Sequence, residues 1–364
     1  MRRRRIALVF EQSQGNATLS YQHGWPKAFL DSSLFDCNPV NLAGKTLADE
    51  AAIAWSFHRE KYDAIVLLHS VFSNQQNLRR LAFLALSMCR VPKAFFIGNE
   101  YKLMPEKMRF CRRLGIDLLI SQSNDQSVLS MYRQALGCCV DSVPNTGFDT
   151  AIFRPQKPLQ DRCIDIGYRA FEAPWYLGNN EKTEIADLFI GKAREYKLSI
   201  DISLDPAKRF NAPGYAVFLN NCRGQIGTEA GGDYFELTDQ LRKQVNAHMT
   251  ANPASTWPEI KSRYFDGLAE MAPMRIISGR QVEAAACKTV QILYEGGYSG
   301  YLEPDEHYIS LKKDGSNFPD VLERFRDDAY CERITSNAYD VAMAELTYEK
   351  LVEKFSRTLS QVLP

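Results

Sequence analysis

Phe153-Arg154-Pro155-Gln156-Lys157-Pro158, followed closely by Cys163-Ile164-Asp165-Ile166-Gly167, decides how the chain divides. Each proline removes a backbone N–H and fixes φ, so the first stretch suits neither a helix interior nor a strand ladder. The second stretch opens a new alternation of short apolar runs and longer helical stretches, and the same alternation fills the sequence ahead of the break. Upstream, apolar runs at 6–10, 64–68, 94–97 and 118–120 read as buried strands, and downstream so do 164–166, 216–219 and 290–293. Helical stretches fall at 47–59, 78–89, 105–114, 126–136, 181–195, 235–247 and 257–269. Continuous runs such as Ile65-Val66-Leu67-Leu68 fit strands covered on both faces. The expectation is an α/β protein of two doubly wound, Rossmann-like domains, 1–155 and 156–344, facing a cleft at the carboxyl ends of their strands.

Composition narrows the function. In 364 residues, 44 basic side chains balance 44 acidic ones, which gives no support to a nucleic-acid partner. The local exception, Arg2 to Arg5, reads as a solvated terminus or as a contact with anionic lipid at the inner membrane surface. The apolar run behind it is too short for a signal-peptide core, and no stretch reaches the ~20 residues that span a bilayer. The 9 cysteines are scattered without a CxxC, which suits a reducing, cytoplasmic setting and argues against structural zinc. Glu11-Gln12-Ser13-Gln14-Gly15-Asn16 after the first strand is not GxGxxG, so a nicotinamide or flavin site loses its main support. Gly44-Lys45-Thr46 lacks the leading glycine of a phosphate-binding loop, since Pro39 occupies that place. The acidic loop Glu303-Pro304-Asp305-Glu306-His307 reads as a solvated loop rather than a cation site. No cofactor and no metal are expected.

The segment 278–293 carries the most chemistry. Ser278 with Gln281 three residues on forms a capping-box pattern, so a helix should begin at Gly279. Its free N–H groups and positive dipole end would suit a diphosphate. Arg280 in that first turn opposes the dipole, a cost that a bound anion would offset.

Glu283-Ala284-Ala285-Ala286-Cys287-Lys288-Thr289-Val290-Gln291-Ile292-Leu293 resembles the Glu-Ala-x-Ala-Cys-Gly-x-Pro-Val-Val signature of group 1 glycosyltransferases. The next block, Glu295-Gly296-Gly297-Tyr298-Ser299-Gly300 with His307-Tyr308-Ile309, is similar to a bacterial subgroup that includes spore-maturation-like glycosyltransferases. Val143-Pro144-Asn145-Thr146-Gly147-Phe148-Asp149 resembles the segment that ends the first domain in that family, with Thr146 interrupting its Asn-Gly pair. The resemblance implies a GT-B fold, with the acceptor held by 1–155, a nucleotide sugar held by 156–344, and a C-terminal helix within 345–364 packing back on the first domain. It implies that Glu283 binds the ribose and that Arg169 grips the donor diphosphate, with Ser278, Gly279, Arg280 and Thr289 completing the donor set. Lys182 stands at a loose spacing for a companion lysine and reads first as a solvated helix start. Two departures count against carrying over the family's mechanism: Arg275 stands in place of its first glutamate, and Lys288 in place of a glycine.

The catalytic carboxylate is therefore sought elsewhere. Glu229 lies in the glycine-rich turn Gly227-Thr228-Glu229-Ala230-Gly231-Gly232. Glu11 and Glu100 each follow a strand of the first domain, where a base could deprotonate an acceptor hydroxyl. The leading expectation is transfer of a hexosyl or deoxyhexosyl group from a nucleotide sugar to a hydroxyl of a glycan or lipid-linked glycan, without metal. A sugar-nucleotide epimerase and a non-catalytic nucleotide-sugar-binding protein are the rivals.

Overall fold

The computed structural model describes residues 3–13, 20–268 and 270–363. Arg2 of the basic N-terminal run, and Gln14, Gly15 and Asn16 after the first strand, lie outside the described residues. The first domain is built on the parallel strands β1 (Arg4–Phe10), β2 (Phe35–Asn41), β3 (Ala64–Leu67), β4 (Lys93–Phe96), β5 (Leu118–Ser121) and β6 (Cys139–Ser142). Their order across the sheet is β2-β1-β3-β4-β5-β6. β1 and β3 to β5 are the buried apolar runs of the sequence. β2, with the sequence FDCNPVN, gives no such signal; Pro39 is tolerated because β2 is the sheet edge, pairing only with β1.

In the second domain β7 (Ile164–Arg169), β8 (Ile200–Ser203) and β9 (Cys222–Gly227) are followed by a short antiparallel pair, β10 (Ala230–Gly232) and β11 (Met274–Ile276). β12 (Val290–Tyr294) and β13 (Ile309–Leu311) complete a parallel sheet of order β13-β12-β9-β7-β8. The expected strand at 216–219 is instead the buried face of the helix Ala212–Asn221. Asn211 caps that helix by accepting the Gly214 N–H at 2.9 Å, and Pro213 fits its first turn. The strand comes one segment later, in β9, whose sequence CRGQIG hides it from a hydrophobicity reading. Gly224 is required there because a Cβ would stand 2.7 Å from the Phe325 ring.

Between the sheets, Arg162 is buried and donates to the carbonyls of Lys157, Leu219, Cys222 and Cys287 and to the Thr289 hydroxyl. It ties the linker to the second domain, and its own buried N–H groups find acceptors in these oxygens.

The chain then returns. After the helix Asp328–Glu345, the backbone of Phe148 bonds to Leu346 and Tyr348, and the helix Tyr348–Leu359 lies on the first domain. Its buried positions Tyr348, Leu351, Val352, Phe355 and Leu359 follow helical spacing. Phe355 is fully buried, with ring centroids 5.5 Å from Phe29 and 4.9 Å from Phe96. Tyr348 presses so closely on the helix Ser20–Asp31 that a Cβ at Gly24 would stand 2.1 Å from its ring. Phe355→Ala should therefore lower stability by about 3–5 kcal/mol, read from denaturant melts followed by circular dichroism. A loss below about 1 kcal/mol would mean that the returning helix is not part of the first domain's core.

Candidate functional site

The helix Gly279–Ala286 begins at the residue its capping pattern indicates, with Gln281 accepting the Ser278 N–H at 3.0 Å. It exits through Lys288 at φ 49°, the left-handed backbone where the related signature has glycine. Its first turn faces a cavity of about 230 Å³ between the two domains. Gly279, Arg280 and Glu283 line this cavity together with Arg169, Arg209, Phe171 and Tyr215. Ser20, Tyr21 and Thr146 close it from the first domain. Four of the expected donor residues thus meet at one place.

The charges there do not balance. Arg280 and Arg209 make no side-chain hydrogen bond or ion pair among the described residues, and Arg280 Nε is buried without a partner. Lys182 stands against the same wall, its ammonium 4.7 Å from the centre of the Phe171 ring, with Arg209 5.0 Å from that ring. It is buried, not a solvated helix start, and it also has no carboxylate partner among the described residues. Burial, then the charges of Arg280, Arg275 and Arg209, push its ammonium down to about 7.

Arg169 walls the cavity, but its guanidinium is committed. It donates to both oxygens of Asp201 at 2.8 Å and lies 4.4 Å above the Phe218 ring. Arg169, expected to grip a diphosphate, thus stands on the cavity wall with a carboxylate partner, whereas Lys182, Arg209 and Arg280 have no ion pair among the described residues. Thr289 is corrected too, since its hydroxyl is enclosed between Arg162 and the Leu219 carbonyl. Arg209 was missed because it lies in an irregular segment between a short turn and a helix, where no sequence pattern points to it.

Glu283 is buried at the cavity and accepts the Ser20 hydroxyl at 2.6 Å across the cleft. Burial pushes its carboxyl up to about 7. Asn124 donating to the Ser299 carbonyl at 2.9 Å, and the Leu103 N–H donating to Asp239 at 2.8 Å, join the domains at two further points.

The three carboxylates singled out for catalysis do not line this cavity. Glu229 accepts the Tyr298 N–H at 2.7 Å and packs so closely on Gly296 that a Cβ there would stand 2.7 Å from its Oε2; burial raises its carboxyl. Glu100 is buried and accepts from the Ser121 hydroxyl, the Gln122 N–H and the Tyr132 hydroxyl. That enclosure corrects its assignment as an acceptor base: its oxygens hold the loop after β4 to β5. Glu11 is half-exposed at the carboxyl end of β1, and its backbone N–H donates to Ser70 at 2.9 Å. Its carboxylate makes no hydrogen bond among the described residues. Arg275, in the place of the missing glutamate, forms a bidentate pair with Glu181 at 2.8 and 2.9 Å and reaches Asp233, while Lys313 joins Glu181 at 2.9 Å. Burial alone would raise the Glu181 carboxyl, but Arg275 and Lys313 hold it below its ordinary value.

No family model matches this chain, and no curated protein matches it. Solved structures do. Anabaena HepE, crystallised with UDP and with UDP-glucose, aligns with a TM-score of 0.54 at 13% identity over 98% of this chain and 100% of that one. A DNA-modifying β-glucosyltransferase, studied with and without uridine diphosphoglucose, aligns with a TM-score of 0.56 at 12% identity over 99% of each chain. The T4 phage β-glucosyltransferase gives 0.52 at 11% identity, again over 99% of each chain. At such identities the likeness shows the fold, which is the GT-B arrangement of two Rossmann-like domains.

The raised carboxyl of Glu283 has a pH signature. The native state holds this proton more tightly than the unfolded chain, so the stability it confers is fully present below about 4.5 and is lost as pH rises through about 7. In urea melts Glu283→Gln should gain on the wild type by about 2–4 kcal/mol between about pH 5 and pH 8. A difference that does not change with pH would show Glu283 to be ionised throughout.

Proposed function

We propose that this protein is a glycosyltransferase that takes its sugar from a nucleoside diphosphate donor. The observation that carries the reading is Arg209 and Arg280 on the wall of one interdomain cavity, with Lys182 behind them against Phe171, none of the three hydrogen-bonded or ion-paired to a carboxylate among the described residues. A diphosphate supplies the missing charge, and the first-turn N–H groups of the helix Gly279–Ala286 add to it. Glu283, one turn further on at the same cavity, takes the ribose hydroxyls in this reading. HepE and the β-glucosyltransferases, which share the fold, were crystallised with UDP or studied with UDP-glucose, and that supports a uridine nucleotide as the first to try. The likeness of the 295–300 block to spore-maturation-like glycosyltransferases supports a bacterial glycan or lipid-linked acceptor.

In this reading the three cations bind the diphosphate in the ground state and stabilise the charge that grows on it as the glycosidic bond to phosphate breaks. They fill the part a divalent ion would otherwise take. The acceptor enters from the first domain, where Glu11, half-exposed at the carboxyl end of β1 and without a side-chain hydrogen bond among the described residues, is the proposed base. Glu229 acts one step back, by fixing the Tyr298 loop beside the donor.

Calorimetry with UDP, UDP-glucose and guanosine analogues tests the proposal. Lys182→Met and Arg280→Met should each weaken binding by about tenfold or more, the scale of a lost charged hydrogen bond. Lys182→Met should at the same time stabilise the free protein, because it removes a buried charge held among like charges. Absence of binding by every nucleotide, or Lys182→Met variants that bind as the wild type does, would sink the reading. Turnover of the donor with no acceptor present would turn it toward an epimerase.

A further inference from the structure

Three helices cover one face of the first sheet: Leu47–Arg59, Arg80–Met88 and Met104–Leu114. They pack side by side, and Phe57, Leu86 and Met108 seal them onto a shared core. Their outer surface does not look like that of a solvated helix layer. Trp55 is 67% exposed, Met88 70%, Leu81 44% and Leu84 43%. Leu81, Leu84 and Met88 follow helical spacing, so the helix Arg80–Met88 has a second apolar stripe directed away from its core. Large apolar side chains gathered on one outer face mark an interaction surface more than scatter does.

The charge on the same surface is mostly basic. Arg59, Arg79, Arg80 and Arg113 are exposed there with no hydrogen bond or ion pair among the described residues, while Arg109 pairs with Glu106 and Arg112 donates to the Ala135 carbonyl. The acidic residues on these helices are already engaged. Asp49 caps its own helix through Thr46, Glu50 is buried and accepts the Leu81 N–H at 2.9 Å, and Glu106 pairs with Arg109 at 3.1 Å. The whole chain has 44 basic and 44 acidic residues, so this face is a strong local excess. Arg79 and Arg80 stand at the start of a helix with no acidic residue in its first turn, a position the helix dipole disfavours.

Two arginines of the N-terminal run are engaged elsewhere. Arg4 is spent on the Ser356 carbonyl, and Arg5 on Glu60 and Asp36.

We infer that this face docks on an anionic lipid surface, with Trp55, Leu81, Leu84 and Met88 entering the headgroup boundary and the arginines meeting lipid phosphates. A nucleic acid would match the arginines but leave the apolar stripe against water or phosphate. An interface that accepts Trp and aliphatic side chains while drawing arginine to its charged rim satisfies both halves of the surface.

The test uses the full chain and does not depend on the donor. The wild type should sediment with vesicles of phosphatidylcholine and phosphatidylglycerol in equal parts, remain in solution with phosphatidylcholine alone, and be released as salt is raised. Trp55→Ser and the pair Arg80→Glu with Arg113→Glu should each weaken vesicle binding by about tenfold, with circular dichroism and nucleotide binding unchanged. The inference is overturned if the wild type stays in solution with the anionic vesicles, or if the variants sediment as it does. Binding to a DNA duplex that survives Trp55→Ser, without binding to vesicles, would make the face a nucleic-acid surface instead. A concentration-dependent dimer abolished by Trp55→Ser, again without vesicle binding, would make it a self-association surface.

Discussion

Burying Lys182 among Arg280, Arg275 and Arg209 is unfavourable for an empty protein, and the surrounding structure is arranged around that fact. Desolvation and like charges both press the lysine toward neutrality. Arg275, in the same neighbourhood, is fully compensated by Glu181 and Asp233, and Lys313 adds to the pair. Arg169 is compensated by Asp201. Carboxylates thus pair with Arg275 and Arg169, whereas Arg209 and Arg280 on the cavity wall and Lys182 beside Phe171 have no ion pair among the described residues. Such selectivity suits the proposed diphosphate donor, whose charge these cations would meet in the ground state and stabilise further as it grows.

The same arrangement explains why the absent first glutamate need not abolish a donor site. In its place Arg275 locks Glu181, on the first turn of the helix Glu181–Lys192, next to Lys182. The pair is mutually satisfied and fixes the start of that helix, so Lys182 is held in register beside Phe171. Glu283 provides a second constraint: its hydrogen bond to Ser20 links the two domains at the cavity edge, and a ligand reaching Glu283 competes with that link.

Much of the fold was legible in the sequence because buried parallel strands are continuous apolar runs. β1, β3, β4, β5, β7 and β12 were all visible in this way. β2 and β9 were not, since an edge strand can hold Pro39 and a strand crowded by Phe325 must hold Gly224. The apolar run 216–219 misled for the converse reason: a short helix buried on one side presents the same letters, and only Asn211 and Pro213 ahead of it disclose the cap. Of the site, Gly279, Arg280 and Glu283 were legible as a helix start with a carboxylate one turn in. Which cations are free was not, because it depends on partners distant in sequence, such as Asp201 for Arg169 and Glu181 for Arg275. Glu100 looked like Glu11 in sequence, and only Ser121, Gln122 and Tyr132 folding over it separate a structural carboxylate from an open one.

The central claim is that Lys182 is a cation waiting for an anion. Nuclear magnetic resonance of the lysine ammonium groups, assigned by comparison with Lys182→Met, reads this directly through the pH at which Lys182 titrates. The account predicts titration near 7 in the free protein and a clear upward shift when a nucleoside diphosphate is added. Titration that stays where it was on saturation with the nucleotide would contradict it.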